Sequence, residues 1–363
     1  MAGDPCNDGP EDLANRFSRS FLGAQELLTV HLGLELGLYA ALAEAGPSTA
    51  SEVAMHAGCD ERYVLEWLEQ QAVSAIIAVD DIEADAGQRR FSLPPDSRSA
   101  LLEQGTLAHV GPFASIIAAL ARGVPAVVAG FRSGSGVPSS CYGNGLGRAM
   151  AALNRPLFTH LLTPRWLPAV PEVDARLRAA PPAQVADIGC GAGWAAISLA
   201  RAFPGITIDG MDADPQSVAE ARRNARDAGV ADRVRFATTD AAELEGEGQY
   251  ELVLCLESLH DMGRPADVLA RIRSLLADEG SVLVAEEAVG DRFLAPGDAR
   301  ERAAYCWSVL HCLPVARAGT ATDPTGAVLR PSTLSRLARE AGFGRVEVVA
   351  IDDPVFRFYR LRR

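Results

Sequence analysis

The stretch DIGCGAGW, residues 187–194, decides the fold. It joins an apolar run that predicts a strand, residues 185–188, to a helical pattern over residues 194–202. Glycines at such a turn let the backbone approach a ligand and enter the N-terminus of a helix tightly. The stretch therefore predicts a strand–turn–helix unit that binds a ligand.

The spacing of the glycines distinguishes two classes of ligand. A dinucleotide-binding turn has the pattern G-x-G-x-x-G/A, and its last small position would fall on Trp194, where an indole cannot replace a residue needed for close packing. The pattern here is instead D-x-G-x-G-x-G. It favours a ligand without a phosphate, an adenosine joined to an amino acid. The candidate cofactor-binding residues of this turn are Asp187, Gly189, Gly191 and Gly193.

The segments after residue 181 alternate between short apolar runs and helical patterns. Such alternation is typical of an α/β domain with a doubly wound, parallel, Rossmann-like sheet. We predict this domain over residues 181–363, with two antiparallel strands at its end. The predicted strands cover residues 185–188, 206–211, 234–237, 250–256, 281–285, 346–351 and 356–361.

Acidic residues follow the second and third predicted strands. Asp212 ends an apolar run about 20 residues after the glycines, where a carboxylate can accept both hydroxyls of a ribose. We prefer Asp212 to Asp214 for this role because Asp212 ends the run itself. After the third strand, Asp240 and the neighbouring Ala241 are candidates to contact the adenine. Ligands bind at this edge of such sheets.

The N-terminal part has a different pattern. Residues 1–12 are predicted to be disordered, and residues 13–100 to form a winged-helix domain for dimerisation. Within it we expect helices over residues 13–44, 48–57 and 61–74, followed by a two-stranded wing. The leucine-rich face of residues 22–42 is larger than so small a domain can cover, which favours a homodimer.

Residues 101–180 are predicted to be a helical linker that covers a pocket. The apolar segment 107–131 is interrupted by Arg122, Gly123 and Pro125, so we expect a buried helical hairpin and no membrane span. The segment 133–147, SGSGVPSSCYGNGLG, is predicted to be a mobile loop, either a linker or a lid over the pocket.

Composition excludes several functions. All 34 basic residues are Arg, so neither a lysine Schiff base nor a P-loop lysine exists. The net charge of −13 argues against a nucleic-acid partner. The seven cysteines include no C-x-x-C pair and the acidic start does not resemble a signal peptide, so we expect a cytoplasmic protein.

With these motifs, the chain resembles the class I S-adenosylmethionine-dependent methyltransferases. The resemblance implies S-adenosyl-L-methionine as cofactor and methyl transfer to a small-molecule acceptor at oxygen, nitrogen or carbon. The N-terminal part is similar to the winged-helix domains of small-molecule methyltransferases, which dimerise through them. The matching stretches are DIGCGAG (187–193), GMDAD (210–214), TTDA (238–241), YELVLCLESLHDM (250–262) and GSVLVAEE (280–287).

The resemblance also assigns roles to the stretch ESLHDM, residues 257–262. Related O-methyltransferases have a His-Asp pair after this strand, and the histidine is the base. We therefore expect His260 to act as a base or orienting group beside Asp261. Glu257 is expected to contact the cofactor or a polar acceptor.

Two alternatives stay open at this stage. His260, Asp261 and His311 resemble the metal set of methyltransferases that alkylate α-keto acids at carbon, so a divalent metal would bind there. His311 would otherwise line the acceptor pocket as a further catalytic-site residue. The second alternative is a transcriptional regulator that senses S-adenosylmethionine, against which the helix 61–74 carries three Glu and a single Arg62.

Overall fold

The computed structural model describes residues 12–319 and 323–363. The predicted disordered tail, residues 1–12, lies outside the described residues except for Asp12, at which the first helix begins.

The described residues form two compact units. The N-terminal unit comprises the described residues up to Ala121 together with Arg148–Pro156, and the C-terminal unit comprises Arg122–Gly147 and Leu157–Arg363. The predicted boundary at residue 101 therefore differs from this division, because part of the predicted linker belongs to each unit.

The N-terminal unit contains the predicted winged helix. Thr49 and Glu52 each accept a hydrogen bond from the other's backbone N–H, and this capping box begins the third helix. Asp60 accepts from the N–H groups of Arg62 and Tyr63 and so begins the fourth. The elements are α1 (Asp12–Glu35), α2 (Leu38–Ala45), α3 (Ala50–Ala57), α4 (Glu61–Val73), β1 (Ala78–Val79), β2 (Phe91–Ser92) and α5 (Pro95–Leu102).

The single helix predicted over residues 13–44 is wrong, because the chain turns between α1 and α2. Gly37 adopts φ 70° at this break, a left-handed conformation that glycine adopts without steric cost. The turn places Tyr39 in the core, where its ring packs edge-on against Trp67 at a centroid distance of 4.9 Å. Both side chains are buried, so the break is stabilised by packing.

The helical hairpin predicted over residues 107–131 is also wrong. The structure has one continuous helix, α6 (Pro112–Ser133), with Pro125 inside it. By length and composition α6 would be able to cross a membrane, as would the bent pair α1 and α2 if it formed one span, but core helices share these properties. Only 33% of the most apolar window of α6 is buried.

The glycine- and serine-rich segment 133–147 is anchored within the C-terminal unit. Val137 donates its N–H to the carbonyl of Pro314 at 2.8 Å. Tyr142 lies in a short 3₁₀ turn, is buried, and donates its hydroxyl to the carbonyl of Leu310 at 2.7 Å. A plain linker would not have these contacts, whereas the role as a lid stays a prediction.

The C-terminal unit contains the predicted sheet. Its seven strands are β3 (Gln184–Ile188), β4 (Thr207–Asp212), β5 (Val234–Thr238), β6 (Tyr250–Leu256), β7 (Leu276–Glu287), β8 (Arg345–Val349) and β9 (Phe356–Arg362). They have the order β5-β4-β3-β6-β7-β9-β8, and only the last two pairs of neighbours are antiparallel. This confirms the doubly wound α/β fold with antiparallel closing strands. Most of the next helix, α7 (Gly145–Leu157), belongs to the N-terminal unit. The helices of the C-terminal unit include a π-helix (Phe158–Trp166), α8 (Pro171–Arg178), α9 (Trp194–Ala202), α10 (Pro215–Asp227), α11 (Pro265–Leu275), α12 (Ala299–Trp307), a π-turn (Ser308–Cys312), α13 (Leu313–Ala316) and α14 (Pro331–Glu340).

Each face of this sheet is covered by apolar side chains. Successive residues of a strand point to opposite faces, so neighbours such as Val253 and Leu254 of β6 enter different core clusters. Strands buried on both faces need the nearly continuous apolar runs seen in the sequence. The carboxyl ends of β3, β4, β5, β6 and β7 consequently meet at one edge, which carries the site described next.

Candidate active site

The three glycines of the turn after β3 all have positive φ, but each has its own reason to be glycine. A Cβ on Gly189 would lie 2.4 Å from the Cβ of Ser258, and one on Gly193 would lie 2.5 Å from the ring of Phe236. A Cβ on Gly191 would meet nothing within 4 Å. Gly189 and Gly193 therefore permit close packing, whereas Gly191 leaves open space beside the backbone.

Asp212 connects the end of β4 to this turn. Its carboxylate accepts from the N–H of Gly191 at 2.8 Å and from the N–H of Asp214 at 2.9 Å. Burial raises the pKa of Asp212 above its ordinary value. Asp214 has another task, since it caps α10 by accepting from Gln216 and Ser217. The two acids therefore make different contacts, although they are only two residues apart in the sequence.

Asp187 is the last residue but one of β3, and its carboxylate is buried. Its Oδ2 has no hydrogen-bond partner, and burial raises its pKa to about 7. An unpartnered buried carboxylate oxygen is costly. A ligand that carries an ammonium group, as the methionine part of S-adenosylmethionine does, would supply the missing partner, so the residues present fit that cofactor.

Asp187 also gives a testable pH dependence. Its pKa is raised from 3.8 to about 7 in the folded protein, so ionisation destabilises the ligand-free fold as pH rises through that range, by up to about 4 kcal/mol. We expect Asp187→Asn to raise the melting temperature at pH 8 but hardly at pH 4, and to weaken S-adenosylhomocysteine binding. Calorimetry at the two pH values measures both effects; an equal change at both pH values would contradict the assignment.

Asp240 and Ala241 lie at the end of β5. Asp240 caps a short 3₁₀ turn by accepting from the N–H of Ala242 at 2.8 Å, and its Oδ2 is 4.0 Å from the guanidinium of Arg264. The 3₁₀ turn begins at Ala241. Both predicted contacts to the adenine therefore lie at the expected edge of the sheet, and their role stays a prediction.

His260 lies in the 3₁₀ turn that follows β6, and its side chain is only 4% exposed. Its Nδ1 is 2.5 Å from Oε2 of Glu286, which is fully buried at the end of β7. Asp261 Oδ1 lies 3.5 Å from Nε2, and Glu287 Oε2 lies 3.5 Å from Nδ1. The hydrogen-bonded partner of His260 is thus Glu286, and Asp261 is more distant.

Glu286 was not among the site residues predicted from the sequence. The available signal was the pair of carboxylates in VAEE (284–287), which ends an otherwise apolar strand. Since β6 and β7 are parallel neighbours, with Leu256 paired to Ala285, the residues that follow them meet at one edge. A buried carboxylate there would have pointed to a partner for His260.

The electrostatics of His260 follow from these neighbours. Burial alone would lower its pKa, but the carboxylates of Glu286, Asp261 and Glu287 outweigh burial and raise the pKa well above its ordinary value. Burial also raises the pKa of Glu257, with the charge of Glu287 adding to the effect. Burial raises the pKa of Glu287 to about 7, with the charges of Glu286 and Asp261 adding to the effect. The ligand-free site therefore holds a protonated imidazole among several acids.

Glu257 is the first residue after β6 and has a φ of 57°, which is uncommon for a residue with a side chain. Its Oε1 is buried without a hydrogen-bond partner. The side chain lies near Glu287, which is the charge that most raises its pKa after burial. The structure therefore places Glu257 beside His260 and the carboxylates of Glu286, Asp261 and Glu287, which we call the histidine cluster. Its predicted contact there would be to the acceptor or to the cofactor.

His311 lies on the π-turn between α12 and α13. Its ring packs edge-on against Tyr142 at 4.9 Å and against Trp307 at 6.4 Å. Burial lowers its pKa, so this imidazole is neutral at physiological pH. A π-turn is common at functional sites because it re-aims side chains.

Among the described residues, two sets of three side chains each bring possible metal-ligand atoms within 4.8 Å of one another, as a metal site requires. They are His260 with Asp261 and Cys312, and His260 with Glu286 and Glu287. His311 belongs to neither group. The set of His260, Asp261 and His311 predicted as metal ligands is therefore not reproduced, since Cys312 takes the place of His311.

Comparison with known proteins agrees with this geometry. Residues 186–282 match the model of a methyltransferase domain family, and residues 15–103 match an Rv2258c-like winged HTH domain. The ubiquinone biosynthesis O-methyltransferase of Pseudomonas aeruginosa is 30% identical over 182 residues, which are 49% of this chain and 72% of that protein. The chain belongs to the class I S-adenosylmethionine-dependent methyltransferases.

Solved structures share the whole fold. Human N-acetylserotonin methyltransferase, in complex with SAM, matches with a TM-score of 0.67 and 18% identity over 100% of this chain and 99% of that one. Mitomycin 7-O-methyltransferase matches with a TM-score of 0.67 and 22% identity over 97% and 99%. The protein uses S-adenosylmethionine to methylate a small-molecule acceptor, and neither a metal-assisted C-methyltransferase nor a regulator is favoured.

Proposed function

We propose that the protein is an O-methyltransferase in which His260, oriented by Glu286, removes the proton from an acceptor hydroxyl. The observation that carries this proposal is the 2.5 Å contact between the two side chains at the edge that bears the glycine turn. The names of the relatives, which are O-methyltransferases, support oxygen as the nucleophile.

The cofactor-binding residues we propose are those of the turn and the strand ends. The bound cofactor supplies a methyl group on a positively charged sulfur, ready for in-line displacement. Asp187 would pair with its ammonium group, and Asp212 with its ribose. Asp240 and Ala241 would contact its adenine. Gly191 leaves the space in which the ligand approaches the backbone.

His260 performs the proton step. In the neutral imidazole, Glu286 holds Nδ1, so the tautomer is fixed and Nε2 is the nitrogen left to accept a proton. As the acceptor oxygen is methylated, its proton would move to Nε2 of His260, and Glu286 would stabilise the resulting imidazolium. The cofactor, when bound, would supply the methyl group and would be released as S-adenosylhomocysteine.

The pH dependence tests this arrangement. A histidine must be neutral to act as a base, so the rate should rise with pH through the raised pKa of His260. Glu286→Gln removes the charge that raises this pKa most, so the rising limb should move to lower pH. We expect kcat to fall roughly 10²- to 10⁴-fold, as when the carboxylate of a catalytic triad is replaced.

The control for this experiment is Glu347→Gln, which removes a carboxylate that pairs with Arg362 in the closing strands. Its pH profile should match that of the unchanged protein. A Glu286→Gln profile with the same rising limb would show that His260 is not the titrating base.

We also infer that the protein is a homodimer through its N-terminal unit. Phe17 and Phe21 of α1 are 63% and 66% exposed, which is unusual for large apolar side chains on a monomer. Light scattering should give twice the chain mass of 38.4 kDa, and a Phe17→Glu, Phe21→Glu variant should be a monomer. If the protein without substitutions were a monomer, this inference would be wrong.

Two further expectations stay proposals. The absence of a nucleic-acid partner is supported by α4, which carries Glu61, Glu66 and Glu69, while its Arg62 is paired with Glu66. This acidic face would repel phosphate. The cytoplasmic location is supported by the six described cysteines, all of which are free thiols.

A further inference from the structure

The histidine cluster contains more carboxyl groups than base catalysis needs. Glu286 suffices to orient His260, yet Asp261 and Glu287 each have a carboxylate oxygen 3.5 Å from the same imidazole, and Glu257 interacts with it electrostatically. One oxygen of each of these four acids is buried and has no hydrogen-bond partner. The side chain of Glu286 is 0% exposed, and even its Oε1 is among the unpartnered atoms.

Such oxygens indicate a missing cationic donor. Leaving a buried carboxylate oxygen without a partner is costly, and charge-assisted hydrogen bonds are the strongest way to satisfy it. The ion pairs that Asp261, Glu286 and Glu287 form with His260 share one cation among three acids. The carboxyl oxygens that are left without a donor therefore fit a positively charged group of a ligand.

The chemistry of His260 distinguishes two kinds of cation. Both groups of candidate metal ligands include His260, so a metal ion would occupy a nitrogen of the imidazole. The proposed base needs Nε2 free and Nδ1 bonded to Glu286. An ammonium group has three donors and no need for an imidazole, so it can be held by carboxylates alone and leaves the base intact.

The cluster is open to a ligand on one side. The side chain of Asp261 is 33% exposed and that of Glu287 is 16% exposed, whereas those of His260 and Glu286 are buried. An acceptor that approaches His260 would thus meet Asp261 and Glu287 beside it.

We propose that Glu257, Asp261 and Glu287 form a subsite for a protonated amino group of the acceptor. This inference rests on the proposed function and specifies its substrate class: small hydroxyl compounds that also carry a basic amine. The amine would be held by the three carboxylates while the hydroxyl faces His260.

The test compares matched pairs of probes that differ in the amine alone. The probes are tyramine with 4-ethylphenol, and dopamine with 4-ethylcatechol, titrated calorimetrically into protein saturated with S-adenosylhomocysteine. We expect the amine of at least one pair to bind at least about tenfold more tightly than its neutral counterpart, as a charge-assisted contact provides. Glu257→Gln and Glu287→Gln should each reduce that ratio to near one.

The control Glu340→Gln, which removes an exposed partner of Arg336, should keep the ratio. Asp261→Asn provides a third variant of the subsite, and S-adenosylhomocysteine binding shows that each variant is folded. If the amine and the neutral probe bound equally in both pairs, or if all three subsite variants kept the preference for the amine, the proposed subsite would be wrong. The methyltransferase proposal would be unaffected. Failure to bind S-adenosylhomocysteine would overturn both.

A further arm uses metal ions alone. Zinc or magnesium added without an acceptor should not bind stoichiometrically to the unchanged protein. Stoichiometric binding that is lost in Glu287→Gln would overturn the ammonium assignment in favour of a metal ion.

Discussion

Replacing His260 with Asn is expected to lower kcat by about 10²- to 10⁴-fold, the usual contribution of a general base. The variant keeps a polar side chain but loses the nitrogen that accepts the proton, while Glu286 loses its partner. Binding of S-adenosylhomocysteine should change little, because the glycine turn and Asp212 lie on other strands. Steady-state rates and calorimetry together separate the two effects.

The matched control is His109→Asn, which removes another buried imidazole, in the N-terminal unit. The kcat of this variant should equal that of the protein without substitutions. If His260→Asn kept most of its activity, His260 would not be the base. If it instead lost cofactor binding in proportion to activity, its role would be structural.

Replacing Asp212 with Ala is expected to weaken S-adenosylhomocysteine binding by roughly 100-fold, the loss of hydrogen bonds to a charged acceptor. The carboxylate is the proposed acceptor for the ribose hydroxyls and also holds the N–H of Gly191 in place. Both effects act on the same ligand. Calorimetric titration with S-adenosylhomocysteine measures the change.

Asp214→Ala is the control, because this neighbouring acid caps α10 and does not contact the glycine turn in the structure. It should cost about 1 kcal/mol of folding stability, as the loss of a helix cap does, with little change in affinity. Were Asp214→Ala to lose affinity and Asp212→Ala to keep it, the assignment of the ribose carboxylate would be reversed.

The fold of the C-terminal unit could be predicted because its signals are local. The apolar runs, the alternation with helices and the glycine turn all lie within a few residues of one another. The position of His260 after β6 followed from the same pattern. These elements lie where they were expected.

The errors come from contacts between distant parts of the chain. Arg122, Gly123 and Pro125 suggested a break in the segment that forms α6, yet the helix continues. A Cβ on Gly123 would lie 2.3 Å from the ring of Tyr142, so this glycine makes room for a side chain from another segment. Nothing near Gly123 in the sequence reveals that contact.

The partner of His260 was missed for a similar reason. Asp261 is adjacent in sequence and was the natural choice, whereas Glu286 is brought to Nδ1 by the pairing of β6 with β7. Adjacent residues leave a turn in different directions, which is why Asp261 stays 3.5 Å from the ring. Strand order, which the sequence does not state, decides which carboxylate reaches the imidazole.

The reaction proposed for this site is transfer of a methyl group to the oxygen of a small molecule. The most direct test incubates the protein with S-adenosylmethionine carrying a ¹³C-labelled methyl group and a library of phenols, catechols, alcohols, amines and α-keto acids, and detects the product by NMR. We expect a labelled methyl ether, absent with His260→Asn. A label on carbon or nitrogen, or no product from a protein that binds the cofactor stoichiometrically, would show that the protein is not an O-methyltransferase.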